Sequence, residues 1–133
     1  EYQKIQEKAK ELAQKSQKLT TLTTYFTYRY GDRWGRGASK EAMLTLEEKT
    51  PIVVSIAIDH QIVKKGTIAT KKNLDLTEIY EQLRNEGYSS GGHRTIGGFQ
   101  TLENKTLEQT LQDLKNALKQ IQKQTQRSKS KVP

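Results

Sequence analysis

The chain is 133 residues long, the size of one domain, with no cysteine and a formal net charge of +8. The missing cysteine excludes disulfides, thiolate metal sites and a cysteine nucleophile. No apolar run is long enough to cross a bilayer or to form the core of a signal peptide, so a cytoplasmic protein without membrane contact is expected. Leu, Ile, Val and Phe make up 28 of 133 residues, just above the roughly 20% below which chains tend to stay unfolded. The core should be small, and the excess of Lys and Arg favours a polyanion as the large partner.

From Tyr2 to Leu19 the residues Ile5, Ala9, Leu12, Ala13 and Leu19 recur at helical spacing among Lys, Gln and Glu, predicting an amphipathic helix with a narrow apolar stripe. Leu22 to Tyr30, with Tyr25, Phe26, Tyr28 and Tyr30 among threonines, suits a pleated strand. Gly31 to Gly37 breaks that pattern as a loop carrying Arg33, Trp34 and Arg36, and helical spacing resumes from Ala38 to Lys49 until Pro51 stops it. Ile52 to Asp59 is a nearly continuous β-branched run, the signature of a strand buried on both faces. A hairpin turn at Asp59-His60-Gln61 leads into a second strand from Ile62 to Thr70, in which Gly66 marks a bulge or a close backbone approach.

Asp75 and Glu78 stand at capping-box spacing ahead of Leu76, Ile79, Tyr80 and Leu83, predicting a helix that runs to about Asn85 and ends at Gly87. Ser89-Ser90-Gly91-Gly92-His93-Arg94-Thr95-Ile96-Gly97-Gly98 then sets one histidine and one arginine among glycines that let backbone approach a ligand. A Gly-Gly turn leading into a short helix would aim N–H donors at an oxyanion, with His93 and Arg94 adding side-chain donors. A plain glycine-rich turn is the competing reading. Phe99 to Leu102 should be extended. Thr106 and Gln109 form a second capping pair, and Leu107, Leu111, Leu114, Leu118 and Ile121 make a seam that belongs either to a helix laid on the sheet or to a partner-binding helix.

Together these elements predict the α/β class: a small mixed β-sheet flanked by helices, with a long N-terminal helix and a long C-terminal helix. The expected organisation is a connector-like helix over 1–19, an α/β domain over 20–126 that includes the helix at 106–126, and a flexible basic tail over 127–133.

The order of elements, with Trp34-Gly35-Arg36-Gly37-Ala38-Ser39 in a loop, Gly66-Thr67-Ile68-Ala69-Thr70 in a strand and Gly91-Gly92-His93-Arg94-Thr95-Ile96-Gly97-Gly98 after a capped helix, resembles the C-terminal DHH-associated substrate-binding domain of RecJ-like DHH-family phosphoesterases. The glycine stretch is similar to that family's G-G-H-x-x-A-A-G motif, with Ile96 and Gly97 in place of two alanines. Ala69 stands where the family has a phosphate-contacting arginine, which leaves Lys71 or Lys72 to replace it. The resemblance implies phosphodiester chemistry carried by two divalent ions, manganese or magnesium, in an associated DHH catalytic domain. This chain has only His60 and His93, and Asp32, Asp75 and Asp113 are scattered, so no cofactor is expected in it and no catalytic residue of its own. Asp59-His60 reads as turn chemistry, and Ser89, Ser90 and His93 lack the orienting acid of a nucleophilic triad.

The expected function is to bind single-stranded DNA or RNA through Gly91, Gly92, His93, Arg94, Arg33, Trp34, Arg36, Lys71 and Lys72, with phosphates in a basic groove and bases on an aromatic face. Trp34 either stacks on a base or plugs the core. Two other readings stand beside this one: a degenerate RecJ-like subunit that binds replication or repair proteins, and the C-terminal piece of an active phosphodiesterase or exonuclease. A chain that opens mid-helix without a methionine is expected to be part of a longer protein.

Overall fold

The apolar run at Ile52 becomes β3 (Ile52–Asp59), a strand paired on both edges, with its residues from Ile52 to Ala57 buried. The computed structural model describes residues 2–130, with side chains through Lys119 together with that of Ile121. Around β3 lie α1 (Tyr2–Gln14), β1 (Gln17–Lys18), β2 (Thr23–Arg29), α2 (Gly35–Glu47), β4 (Ile62–Thr70), α3 (Thr77–Asn85), β5 (Tyr88–Gly92), β6 (Ile96–Thr101) and α4 (Leu107–Ser130). The six strands form one sheet in the order β1-β2-β3-β4-β6-β5. β2 and β3 run parallel, linked through α2, and the remaining neighbours are antiparallel. The mixed α/β class with helices at both ends is therefore as expected. Among the described residues no helix is long and apolar enough to cross a membrane.

Side-chain alternation along β3 and β4 divides the core in two. On one face Val54, Ile56, Ile68 and Phe99 meet Ile79 and Leu83 of α3 and Leu114, Leu118 and Ile121 of α4. On the other, Phe26, Val53 and Ala69 meet Ala9 and Leu12 of α1 and Ala42, Met43 and Leu46 of α2. Each fully buried Leu or Ile contributes about 1.5–3 kcal/mol through lost water contact. No residue of β5 or β6 belongs to the second cluster, so α1 and α2 cover only the β2-to-β4 side of their face. That uncovered strip positions the site described below.

The leucine seam of α4 is core, not a free surface: Leu114, Leu118 and Ile121 are at most 2% exposed. The helix is capped as expected, Thr106 N–H donating to Gln109 Oε1 at 2.9 Å and Gln109 N–H donating to Thr106 Oγ1 at 3.2 Å. It continues through Ser130. Of the basic tail expected over 127–133, residues 131–133 and all the side chains lie outside the described ones.

Two local expectations are corrected, and a third is narrowed to one of its alternatives. The first helix ends at Gln14 rather than Leu19, because the Ser16 hydroxyl donates to the Ala13 carbonyl at 2.7 Å and Leu19 N–H turns to the Thr23 carbonyl, placing Leu19 in the opposite cluster. α2 begins at Gly35 rather than Ala38, with the preceding turn fixed by Trp34 N–H donating to Asp32 Oδ1 at 3.1 Å. Gly66 marks a close approach and not a bulge: a Cβ there would stand 2.2 Å from the Phe99 ring. The bulge is at Lys64, between the pairs Ala57 with Lys65 and Ile58 with Val63.

Candidate nucleic-acid interface

The glycine stretch forms a β-hairpin, not a turn leading into a helix. Gly91 and Gly92 lie in β5 and Gly97 and Gly98 in β6, paired Gly91 with Gly98 and Gly92 with Gly97, and His93 to Thr95 form the tip. Small residues on both strands pair across without side-chain bulk, which is why the pattern closes into a hairpin. Three successive tip carbonyls turn toward the body of the protein. His93 accepts from the Tyr80 hydroxyl at 2.7 Å, Arg94 from Leu76 N–H at 2.8 Å and Thr95 from Thr70 N–H at 2.9 Å. The N–H groups of Arg94 and Thr95 have no hydrogen-bond partner among the described residues. The imidazole of His93 is exposed.

The same geometry sorts the sequence-predicted residues into two groups at opposite ends of the sheet. Thr70 pairs with Ile52 and is bonded to Thr95, so Lys71 and Lys72 stand beside the hairpin tip with His93 and Arg94. Arg33, Trp34 and Arg36 stand at the start of α2, next to the end of β2 at Arg29, where β3 and β4 join in their turn. Arg94 is directed to Asp75, Nε to Oδ2 at 3.7 Å, ahead of α3. The Thr77 hydroxyl and N–H donate to Asp75 and hold its carboxyl below the ordinary value. Trp34 lies under Arg33, 4.8 Å from guanidinium carbon to ring centre, and Lys4 approaches at 5.8 Å. Its neighbour Asp32 is ion-paired with Lys8 of α1, which keeps that carboxyl low. Trp34 thus ties α1 to α2 through cations on its ring, and it lines none of the depressions of the open strip. Asp59 and His60 sit in the β3–β4 turn, where His60 and Gln61 take φ of 50° and 72°, with Nδ1 of His60 2.6 Å from Asp59 Oδ1.

What sequence reasoning missed is the centre of the open strip. Register puts Lys65, Thr67 and Ala69 of β4 on the face toward α2, opposite Gln100, Gly98 and Ile96 of β6. A depression of about 430 Å³ lies over Lys65, Ser89, Gly91 and Gly98. A second, of about 360 Å³, runs along α2 between Arg36, Lys40, Leu44 and Glu47 on one wall and Lys65, Thr67 and Ile96 on the other. A third reaches Lys64, Lys65 and Tyr30. Lys65 lines all three. The residue is half-buried, and its amine makes no ion pair or hydrogen bond among the described residues.

The groove is polarised along its length. Arg36, Lys40, Leu44 and Glu47 follow one another at helical spacings of four, four and three, so a single stripe of α2 forms the wall. Its cationic end faces Lys65, and its far end carries Leu44 and Ile96, 46% and 49% exposed. Sequence reasoning placed Arg36 in the preceding loop and gave Lys40, Leu44, Glu47 and Lys65 no role. Tyr28 forms part of the floor, its phenol raised by burial and eased by a hydrogen bond with Ser39. Glu47, with a side chain only 8% exposed, has its carboxyl pushed above the ordinary range by burial, and Lys71 opposes that shift from 4.0 Å.

No protein-family model and no curated protein matches the sequence. Solved structures do. The chain is similar to the pGpG-specific phosphodiesterase PggH from Vibrio cholerae at 17% identity and a TM-score of 0.57, over 91% of this chain and 40% of that one. It is similar to RecJ from Thermus thermophilus, in complex with Mn2+, at 17% identity and a TM-score of 0.58, over 87% of this chain and 16% of RecJ. The C-Ala domain of alanyl-tRNA synthetase from Aquifex aeolicus matches at 13% identity and a TM-score of 0.53, over 78% of this chain and 97% of that domain. The chain thus spans less than half of PggH and a small part of RecJ, and the fold implied by the RecJ-like resemblance is the fold this chain has.

Proposed function

We propose that this domain holds a single-stranded nucleic acid or short oligonucleotide, phosphates along the groove between α2 and the β5–β6 hairpin, for a phosphodiesterase whose chemistry lies elsewhere. The observation that carries the reading is Lys65, a cation with no ion-pair partner among the described residues that lines all three depressions. A cation with no acidic partner at the junction of three open depressions suits a ligand that brings negative charge. Arg36 and Lys40 add two cations on the facing wall, and His93, Lys71 and Lys72 extend the path to the hairpin tip, where the free N–H groups of Arg94 and Thr95 suit a phosphate oxygen. The likeness to PggH, which acts on pGpG, and to RecJ supports a phosphodiester ligand. In this reading the chain does not hydrolyse the strand by itself, and the manganese or magnesium ions of the reaction are held by an associated catalytic domain. The match to almost the whole C-Ala domain of a tRNA synthetase makes RNA the second strand to test.

Anisotropy of a labelled single strand, as DNA and as RNA, tests this between about 50 and about 200 mM salt. Three cations facing three phosphates give a salt slope of about −2 and a loss of roughly 20-fold in affinity over that range. Salt-independent binding, or none, overturns the proposal.

A further inference from the structure

The third depression, of about 260 Å³, lies at the end of the groove away from Ile96, and Tyr30 and Leu102 line it together with Lys64 and Lys65. Tyr30 and Leu102 are 48% and 69% exposed, whereas Phe26, Tyr88 and Phe99 of the same sheet are at most 2% exposed. The Tyr30 N–H donates to the Ile58 carbonyl at 2.7 Å, which carries the β2–β3 ladder one residue past Arg29. Alternation along β2 then sets Tyr30 on the face of Phe26 and Tyr28, toward α2. Lys65 shares that face, and Tyr28, Ala57 and Lys65 stand in one row across β2, β3 and β4. From Lys65, Tyr30 is thus two strands over, about 10 Å, and two residues on, about 7 Å. Its backbone is pinned and its side chain is not. Among the described residues no aromatic or cation contact is made with the Tyr30 ring and no hydrogen bond with its hydroxyl. Trp34, by contrast, carries Arg33 and Lys4 on its ring.

Resting on the nucleic-acid reading above, we infer that Tyr30 is a stacking platform for one base of the bound single strand, with Lys65 holding the phosphate of that nucleotide. Every base has a π-face, so an exposed aromatic ring beside a cation adds affinity without choosing among bases. Strand order brings Tyr30 to the depression from the β2 side of β4 and Leu102 from the β6 side. A base between them therefore has an aromatic ring on one side and an aliphatic side chain on the other. The rest of the lining suits a base better than a second phosphate. Gln100 and Asn104 contribute neutral amides, and Glu103 brings a negative charge that repels an anion. Each amide offers both a donor and an acceptor, so the edge of any base finds a partner there.

The test compares a labelled single strand with an abasic strand of the same length and charge, each binding by anisotropy to the full chain and to its Tyr30→Ala and Tyr30→Phe variants, with fold checked by circular dichroism. Tyr30→Ala should weaken binding of the base-bearing strand about tenfold, the loss of one base–aromatic stack, and leave the salt slope unchanged because no phosphate contact is removed. Tyr30→Phe keeps the ring and should bind within about twofold of the parent. The abasic strand should bind the parent and Tyr30→Ala alike. An affinity unmoved by Tyr30→Ala, a loss that the abasic strand shares, or a loss as large in Tyr30→Phe overturns the stacking platform and leaves the phosphate groove standing. Binding of neither strand to the parent chain overturns both.

Discussion

Tyr80 donates its hydroxyl to the His93 carbonyl at 2.7 Å, and its ring occupies the space where a side chain at position 97 would begin, 2.3 Å from an added Cβ. α3 therefore fixes the hairpin tip through a glycine that β6 must keep. Gly97→Ala forces the ring aside and should cost about 1–3 kcal/mol, as overpacking in a core does. Tyr80→Phe, which removes only the hydrogen bond, should cost about 1 kcal/mol. Urea unfolding of the two variants checks the order, and a Gly97→Ala chain as stable as the parent would contradict the packing.

The same phenol makes stability depend on alkaline pH. Burial pushes the Tyr80 pKa up to about 12 from 10.0, and Tyr88 is raised by burial and by its hydrogen bond to Asp113. Between the unfolded and folded values the unfolded chain has released a proton that the native state keeps, so stability is whole below pH 10 and declines as pH rises toward 12. Tyr80→Phe should have a shallower decline than the parent in that window, although it is less stable at neutral pH. Thermal unfolding from pH 8 upward, in steps of about one unit, reads both slopes.

The β3–β4 turn holds two consecutive non-glycine residues at positive φ, His60 at 50° and Gln61 at 72°. Turns of this kind favour Asn-Gly. Gln61→Gly relieves the second residue and should raise stability by about 0.5–1 kcal/mol, with nucleic-acid affinity unchanged because Gln61 lines none of the three depressions. A drop in stability would show that the Gln61 side chain contributes more than its exposed position indicates.

Arg94 separates the hairpin tip from the groove as sources of affinity. Its guanidinium is turned to Asp75, 3.7 Å away, so Arg94→Ala should weaken strand binding by about twofold and leave the salt slope nearly unchanged. Arg36→Ala, on the groove wall, should reduce that slope by about 0.7. The reverse order would move the phosphate path from the groove to the tip.

The fold was legible where one physical signal governed an element. β-branched residues placed β3 and β4, the reciprocal Thr106–Gln109 cap placed the start of α4, and Gly87 at φ 96° ended α3. The leucine seam was legible as a seam, but periodicity does not tell which surface covers it. Here the covering surface is α3 and the sheet together, and Leu114→Asp would unfold the chain rather than detach a partner. The site was legible in its glycines and not in its geometry. Gly91-Gly92 carries no mark that tells a strand edge from a helix-leading turn, and a lone Trp between arginines does not show that Arg33 packs on its ring. Lys65 was hidden because its importance comes from register, which places it opposite Gln100 and beneath α2.

Lys65→Glu is the measurement that reaches the central claim most directly, because it reverses the charge at the meeting point of the depressions while leaving the core untouched. With fold checked by circular dichroism, anisotropy on a labelled single strand at low salt should show a loss of at least about 30-fold, larger than for charge reversal at Lys71, Lys72 or Arg33. Binding that survives Lys65→Glu at parental strength, and falls instead with Arg33→Glu, would place the nucleic acid on another face and contradict the account.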